Sequence, residues 1–380
     1  MNFKKVLTIY KKEIKDSIRN KRVLYSTIIV PLVILPIFVN VPQMIAQKSS
    51  EKAKFRPSNV MLSGFRIPGF FEQFARSDLI NLTIANDPVK ALKKGKIDLY
   101  VRIVSKDPPE VEIYFNPLSE TSKIALSRAK LLIETFRGYA GENFATRRVK
   151  IVTNSVISNR EMKGVLTGIT LGFLLIFGVL TGGIAPGVDT VAGEKERKTL
   201  IVLLSLPVSK RDILTGKLLL VATISFISSV LILVGIFGLN LLFFRSPGGI
   251  NDFSILGLSI SLRDFFIVFF LMLIYILLAS SVILIASSYA RSYREAQNYM
   301  TPIIILIAVP LLFTQVLTNL YLPDWVFYLP GVNIMMVLRE ALTMGILERH
   351  LLLTVVSLVI SLYIAVKILF RVFERSILRV

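Results

Sequence analysis

Long apolar windows without a charged side chain alternate with short, strongly charged segments along this chain. Residues 23–47, 164–188, 218–244, 265–290 and 296–323 contain no Asp, Glu, Lys or Arg. Each reaches the roughly 20 residues that a helix needs to cross the hydrocarbon core of a bilayer. A sixth window, 351–366, is shorter, but Lys367 can snorkel and carry the apolar stretch to about residue 370. The pattern predicts an α-helical polytopic membrane protein with six transmembrane helices. A mean hydropathy of +0.66 and a hydrophobic content of 53% agree with that class and not with an ordinary soluble domain.

The segments between the windows carry their own periodicities. In residues 1–22, Phe3, Val6, Leu7, Tyr10, Ile14 and Ile18 recur at three- and four-residue steps with lysines between them. That spacing predicts an amphipathic helix lying in the inner-leaflet interface as an elbow before the first span. The segment is too long and too charged for the n-region of a secretory signal. Pro31 and Pro36 predict a kink in the first span, 23–47.

Residues 48–160 read as an α/β domain, with strands at 59–62, 79–84, 99–104 and 111–115 and helices at 69–76 and 88–94. Asp87 and Pro88 form a helix start and Gly95 an end. A long helix at 119–149 is expected to run almost continuously into the second span, 161–188. After a charged loop at 189–217, residues 218–380 hold the remaining four spans. Segment 323–349 interrupts them: it is rich in apolar and aromatic residues (Trp325, Phe327, Tyr328, Met335, Met336, Leu338) but broken by Pro330, Gly331 and Asn333. It predicts a short re-entrant or interfacial helical pair at the outer face, anchored by Trp325 and Tyr328, with Arg339 and Glu340 pairing or facing water.

Charge changes the picture twice. Lys and Arg concentrate in residues 1–22, in 189–217, at Arg291 and Arg294, and at Arg371, Arg375 and Arg379. With six spans these all fall on one side, which predicts cytoplasmic termini, a cytoplasmic 189–217 loop and an extracytoplasmic 48–160 domain in the cell membrane. The net charge of +20 then reflects topology and attraction to anionic lipids, not nucleic acid. Catalytic constellations are missing. There is no cysteine and one histidine, His350, so neither a zinc set nor a nucleophile–base triad is available. No phosphate loop occurs, since Gly95–Lys96 is followed by Ile97 and Gly216–Lys217 by Leu218. The second to fifth windows also lack the ionisable groups that self-powered pumps place at the midplane, so transport would need energy from elsewhere.

The loop at 189–217 is the densest signal. Glu194, Lys195, Glu196, Arg197 and Lys198 come in one burst, followed by Leu200, Ile201, Leu203 and Leu204, then Pro207, Lys210 and Arg211. A short surface helix offering one face to a partner fits that order. VAGEKERKTLIVLLSLPVSKRDILTGK resembles the cytoplasmic-loop signature of permease subunits of type-2 ABC exporters. SSYARSYREAQNYMTP, LPGVNIMMVLREALTMG and ALKKGKIDLYVRI are similar to segments of the NatB-like, sodium-efflux branch of those permeases.

The resemblance implies a permease that is not itself an enzyme and holds no cofactor. ATP and Mg²⁺ would belong to ABC ATPase subunits, two per complex, bound to a permease dimer of like or sister chains. Residues 197–204 would be the coupling helix, with Leu200, Ile201, Leu203 and Leu204 as its apolar face. Glu194, Glu196 and Arg197 would make charge-assisted contacts with the ATPase, and Thr199, Lys210 and Lys217 would complete them. Arg291, Arg294 and Glu295 would form a second cytoplasmic contact. Gly164, Gly168 and Gly172 make a small-residue stripe that could line the dimer interface or pack within one protomer. For substrate, the resemblance suggests sodium, which would use oxygen ligands such as Thr167, Thr170, Thr181, Asn240, Thr301 or Gln315. The charge-free spans suggest instead a hydrophobic drug, peptide or lipid. The alternative class is a membrane sensor whose outer domain binds a ligand and signals through the charged loop.

Overall fold

Apolar alternation and helix signals condense into two units in the structure, a computed structural model. It describes residues 2–21, 23–25, 27, 56–65, 67, 69–106, 109–139, 150–243, 261–316, 323–343 and 345–377. The expected kinked span at 23–47 lies almost wholly outside them.

The α/β unit holds strands β1 (Ser58–Gly64), β2 (Ile80–Leu82), β3 (Leu99–Lys106), β4 (Pro109–Phe115) and β5 (Lys150–Ser155), in the order β2-β1-β3-β4-β5. β1 pairs in parallel with β2 and β3, β3 and β4 form an antiparallel pair, and β5 adds in parallel to β4. Helices α2 (Phe70–Ala75) and α4 (Glu120–Tyr139) bury Phe70, Phe74, Ala125, Ala129 and Ile133 with Val60, Val101, Ile103, Val111 and Ile113 of the sheet. Between them in sequence, α3 (Pro88–Lys93) packs Ala91 and Leu92 near the stacked rings of Tyr100 and Tyr114. Asp87 caps α3 by accepting from the Lys90 amide, as its sequence predicts.

One expectation fails here. The long helix does not run into the second span: α4 is described to Tyr139, and β5 intervenes before the next helix begins at Asn159. Ile151, Val152 and Thr153 are β-branched and suit a strand beside β4 better than a helix. The following helix has its own start signal, a reciprocal capping box. The Ser158 amide donates to Glu161 Oε2 at 2.7 Å, and the Glu161 amide donates to Ser158 Oγ at 3.1 Å.

In the helical unit, α5 (Asn159–Val188) continues through a π turn (Asp189–Gly193) and a short helical turn (Glu194–Glu196). The first third of the expected 189–217 loop is therefore helix. Then come α6 (Thr199–Leu204), α7 (Lys210–Phe243), α8 (Leu262–Tyr289) and α9 (Tyr293–Val316). A 3₁₀ turn (Asp324–Tyr328), α10 (Val332–Thr343) and α11 (Glu348–Ile377) complete the order. Among the described residues, four helical stretches are long and apolar enough to cross a membrane: Gly164–Glu196, Lys210–Gly235, Leu262–Tyr289 and Glu348–Ser376. The fifth expected span corresponds to α9, which carries Pro302 and Pro310 in its interior.

The amphipathic N-terminal segment forms α1 (Phe3–Arg19), but its buried face is Val6, Ile9, Glu13 and Ser17. Phe3, Leu7 and Ile18 of the predicted apolar stripe stay exposed. Segment 323–349 is helical as expected, with Trp325 and Tyr328 exposed. Glu340 is hydrogen-bonded to His350 Nδ1 at 2.5 Å, and the imidazole stacks on Phe327 at 3.9 Å. His350 is thus a packed, paired residue.

The glycine stripe packs within the chain, the second of its two readings. A Cβ on Gly168 would lie 2.5 Å from Arg339 Cα, and one on Gly172 would lie 2.8 Å from Met335 Cγ, both on α10. Gly164, the first of the stripe, is buried. Higher on α5, Gly182 and Gly183 abut Ser228 and Ser225 of α7. Gly168→Leu should therefore destabilise the single chain, by about 1–3 kcal/mol or more from overpacking. The check is a melting curve in detergent with the mass of the particle measured alongside. A dissociated oligomer with unchanged melting would contradict the intramolecular packing.

Candidate functional site

Three segments far apart in sequence meet around one ammonium group. Lys217, in the second turn of α7, is fully buried. Its Nζ donates to Glu194 Oε2 at 2.6 Å, to Glu13 Oε1 at 3.1 Å, and to the carbonyl and hydroxyl oxygens of Thr190 at 2.7 and 3.2 Å. The Thr190 hydroxyl donates in turn to Glu13 Oε2 at 2.8 Å. Lys12 closes a ring by reaching Glu13 Oε1 and Glu194 Oε1, each at 3.1 Å. Lys217, Glu13 and Glu194 are buried, while Lys12 is about half exposed and closes the ring from its solvent side. The buried charges are paired, the condition under which they are tolerated. Burial alone would push the Glu13 carboxyl up. Lys217 and Lys12, with the Thr190 hydroxyl, outweigh it and hold the group below the usual range. Burial also opposes the charge on Lys12, but Glu13 and Glu194 hold its ammonium above the ordinary lysine value.

Local sequence explains why the chain can close this ring. Gly216 lets α1 approach α7, since a Cβ there would lie 2.8 Å from Ile9 Cγ2. The π turn is held open by Ser287 of α8, whose hydroxyl accepts the Ala192 amide at 3.1 Å and lies 3.4 Å from the Val188 carbonyl it donates to. A side chain inserted between these two groups replaces the ordinary i→i−4 bond and widens the helix. Asn20 Nδ2 and Arg197 Nη1 each donate to Asp189 at 3.0 Å, fastening the end of α1 to the same turn.

The charged burst continues outward from the ring. Lys195 donates to the carbonyls of Ser288 and Ala290 at the end of α8. Glu196 accepts the Tyr293 amide at 2.7 Å, at the start of α9. The charged loop and the segment with Arg291, Arg294 and Glu295 are therefore brought together, although about 97 residues separate them. Glu295 is engaged locally by the Arg291 amide and the Tyr299 hydroxyl, while Arg291 and Arg294 are exposed. Lys198 then turns the chain with a φ of 61°, a left-handed conformation that ends the short helix and starts α6 in a new direction.

Two placements correct the expected partner face. Glu194 and Lys217 are not surface contacts, because they pair with each other inside the chain. Leu200 is buried, and Leu203 and Leu204 pack partly against a core that includes Ile9, Ile213, Leu214, Leu284 and Phe373. The apolar side chains that α6 and its exit leave exposed are Ile201 (47%), Val202 (67%) and Leu206 (49%). Of these only Ile201 belongs to the expected apolar face of Leu200, Ile201, Leu203 and Leu204. Val202 and Leu206 carry no sequence signal of their own, and the packing of Leu200 reveals which face is left over. Glu196, Arg197, Thr199 and Lys210 remain exposed around them. Glu13, the key acid of α1, carried no sequence signal beyond interrupting an amphipathic pattern.

The hydroxyls of Thr170 and Thr181 bond to carbonyls of their own helix, Thr301 is exposed, and Thr167 is buried on α5. The side chains of Asn240 and Gln315 lie outside the described residues. Buried hydroxyls without a hydrogen-bond partner occur instead at Ser225 and Ser228 of α7 and Ser280 of α8.

With this geometry in place, comparison with known proteins gives a consistent result. Residues 7–376 match the model of the family described as ABC-2 family transporter protein. The chain is 25% identical over 329 residues to the ABC transporter permease protein NatB of Bacillus subtilis, covering 80% of this chain and 81% of that protein. It is 26% identical over 396 aligned positions to a protein of Methanocaldococcus jannaschii named "Uncharacterized protein MJ1024", covering 97% and 92% respectively.

The buried ring makes two expectations. Lys217→Met removes the buried cation and leaves Glu13 and Glu194 with only the half-exposed Lys12 between them, and should cost about 3–5 kcal/mol. Adding Glu13→Gln and Glu194→Gln should return part of that loss in a detergent melting series. Glu13 is held below 4.5, so its contribution is complete above that pH and fades as pH falls through the folded value. Lys12 is held above 10.5, so its contribution is complete below that pH and lost only in stronger base. The melting difference between the parent chain and Glu13→Gln should be flat through neutrality and shrink below pH 4.5. A difference that grows on acidification would reverse the assignment.

Proposed function

This chain belongs to the ABC-2 family of transporter proteins, and from that membership we propose that it is the membrane permease of an ATP-driven exporter. The family makes it a transporter membrane subunit that works with ABC ATPase subunits. Two such ATPases would bind a pair of permeases on the cytoplasmic side, where both termini also lie, and would supply ATP and Mg²⁺ chemistry that this chain does not perform.

The observation that carries the proposal is the division of α6 into two faces. Leu200 anchors it in the core while Ile201 and Val202, with Leu206 beyond, project outward among Glu196, Arg197, Thr199 and Lys210. An apolar ridge with a charged rim suits a groove on the ATPase, and α6 would be the coupling helix. Motion of that ridge would pass to α5 and α7 through the short Glu194–Glu196 turn and the Lys217 ring. Arg291 and Arg294, joined to the same turn through Glu196 and Tyr293, would form the second contact.

The substrate is proposed to be a sodium ion or a hydrophobic compound. The unpartnered hydroxyls of Ser225, Ser228 and Ser280 favour the cation, because they offer buried oxygen dipoles in an uncharged helical bundle. They would replace the scattered threonines as the oxygen set.

Two measurements test this reading. Ile201→Ser with Val202→Ser should reduce co-purification of the ATPase at least about tenfold, the loss of roughly 1.4 kcal/mol or more, while the melting temperature holds. Leu200→Ala should instead destabilise the chain by about 2–5 kcal/mol. Equal ATPase recovery with the double variant would remove α6 from the contact. In proteoliposomes of the complex, sodium should stimulate ATP hydrolysis and Ser225→Ala with Ser228→Ala should blunt it. Stimulation by lipophilic compounds alone would select the hydrophobic substrate.

A further inference from the structure

Cations also gather at a cavity separate from the Lys217 ring. It measures about 480 Å³ and is lined by Lys195, Lys198, Arg291 and Arg375, with Tyr289 and Val372 among its walls and no carboxylate in the lining. Ile201 also lines it, so through Ile201 and Arg291 it borders the surface proposed for the ATPase. Lys195 gives two of its three N–H groups to the carbonyls of Ser288 and Ala290. Glu295 lies near Lys195 but accepts the Arg291 amide and the Tyr299 hydroxyl. The lining thus presents an excess of positive charge in a concave site.

Its position narrows the choice of anion. Three apolar stretches, Gly164–Glu196, Leu262–Tyr289 and Glu348–Ser376, end at this cavity through Lys195, Tyr289 and Arg375. On α11, Ile360, Ile364 and Ile368 are exposed at successive four-residue steps, and Val372 and Ser376 continue the same stripe into the cavity wall. A soluble anion would have no use for that stripe, and an acidic protein segment would not follow it along an apolar helix. We propose that the cavity binds the phosphate headgroup of an anionic phospholipid whose acyl chains lie along Ile360, Ile364 and Ile368. Arginine forks suit phosphate oxygens, and basic pockets between membrane helices are suited to anionic headgroups.

The test uses the full-length chain in mild detergent, titrated by native mass spectrometry with phosphatidylglycerol, phosphatidylcholine and, as a chain-less probe, glycerol phosphate. Arg375→Gln and the pair Lys198→Gln with Arg375→Gln serve as variants, since both side chains are exposed and their loss should leave the melting temperature in place. Phosphatidylglycerol should be retained in preference to phosphatidylcholine. The preference should fall about fivefold in the single variant and about 30-fold in the double one. Glycerol phosphate should fail to compete. Equal retention of phosphatidylglycerol by the parent and double-variant chains would overturn the proposal. Binding of glycerol phosphate as tight as that of the lipid would also overturn it, by assigning the cavity to a soluble phosphate. If the variants keep the lipid but lose the ATPase, the cavity holds an acidic protein segment and the lipid assignment falls.

Discussion

A single buried ammonium organises the helical unit. Lys217 is the point where α1, the π turn and α7 hold one another, and each supplies a group that could not stay dry without it. The arrangement is brittle by construction. Neutral as a whole, it leaves a strongly unfavourable charge if any one member is withdrawn. Such a joint transmits displacement instead of absorbing it, because no partner can shift without dragging the others. That property suits a structure whose exposed α6 ridge is separated from the ring by one short helical turn.

The π turn is the second element of the same design. Ser287 reaches from α8 into the backbone of the first long helix and takes over a hydrogen bond that the helix would otherwise make with itself. The widened turn aims the Thr190 carbonyl at Lys217 and presents Asp189 to Asn20 and Arg197. Beyond it, Lys195 and Glu196 fasten the same turn to the end of α8 and the start of α9. The charged burst that stands out in the sequence is therefore largely an internal fastening, and the surface left for a partner is smaller and more apolar than its composition suggests.

How much of this could be read from the sequence depends on the range of the interaction. Local rules worked where the cause was local: Asp87 and Pro88 start a helix, alternation marks four of the strands, and charge-free windows mark the long helices. They failed where a competing local signal was overlooked, as at β5, where three β-branched residues and the Ser158–Glu161 box together break the expected continuous helix. They could not reach contacts fixed by tertiary packing. Nothing near Glu13 announces Lys217, and nothing in the run from Leu200 to Leu204 distinguishes the side chain that faces the core from those that face out. The stripe of Gly164, Gly168 and Gly172 is a similar case: small residues permit close approach without specifying which helix approaches.

The 204 residues that separate Glu13 from Lys217 have a consequence for biosynthesis. During translation α1 emerges first, and its buried-face carboxylate has no basic mate from α7 until the chain has grown past residue 217. Glu194 waits for the same lysine over a much shorter interval. The nascent polypeptide thus passes through a long period in which α1 cannot dock stably, and arrival of the Gly216–Lys217 step is the event that allows closure. A product truncated before that point would hold Glu13 and Glu194 with Lys12 as their one partner of the two lysines. The ring therefore ties the seating of α1 to the synthesis of α7, with α8 to α11 still to follow.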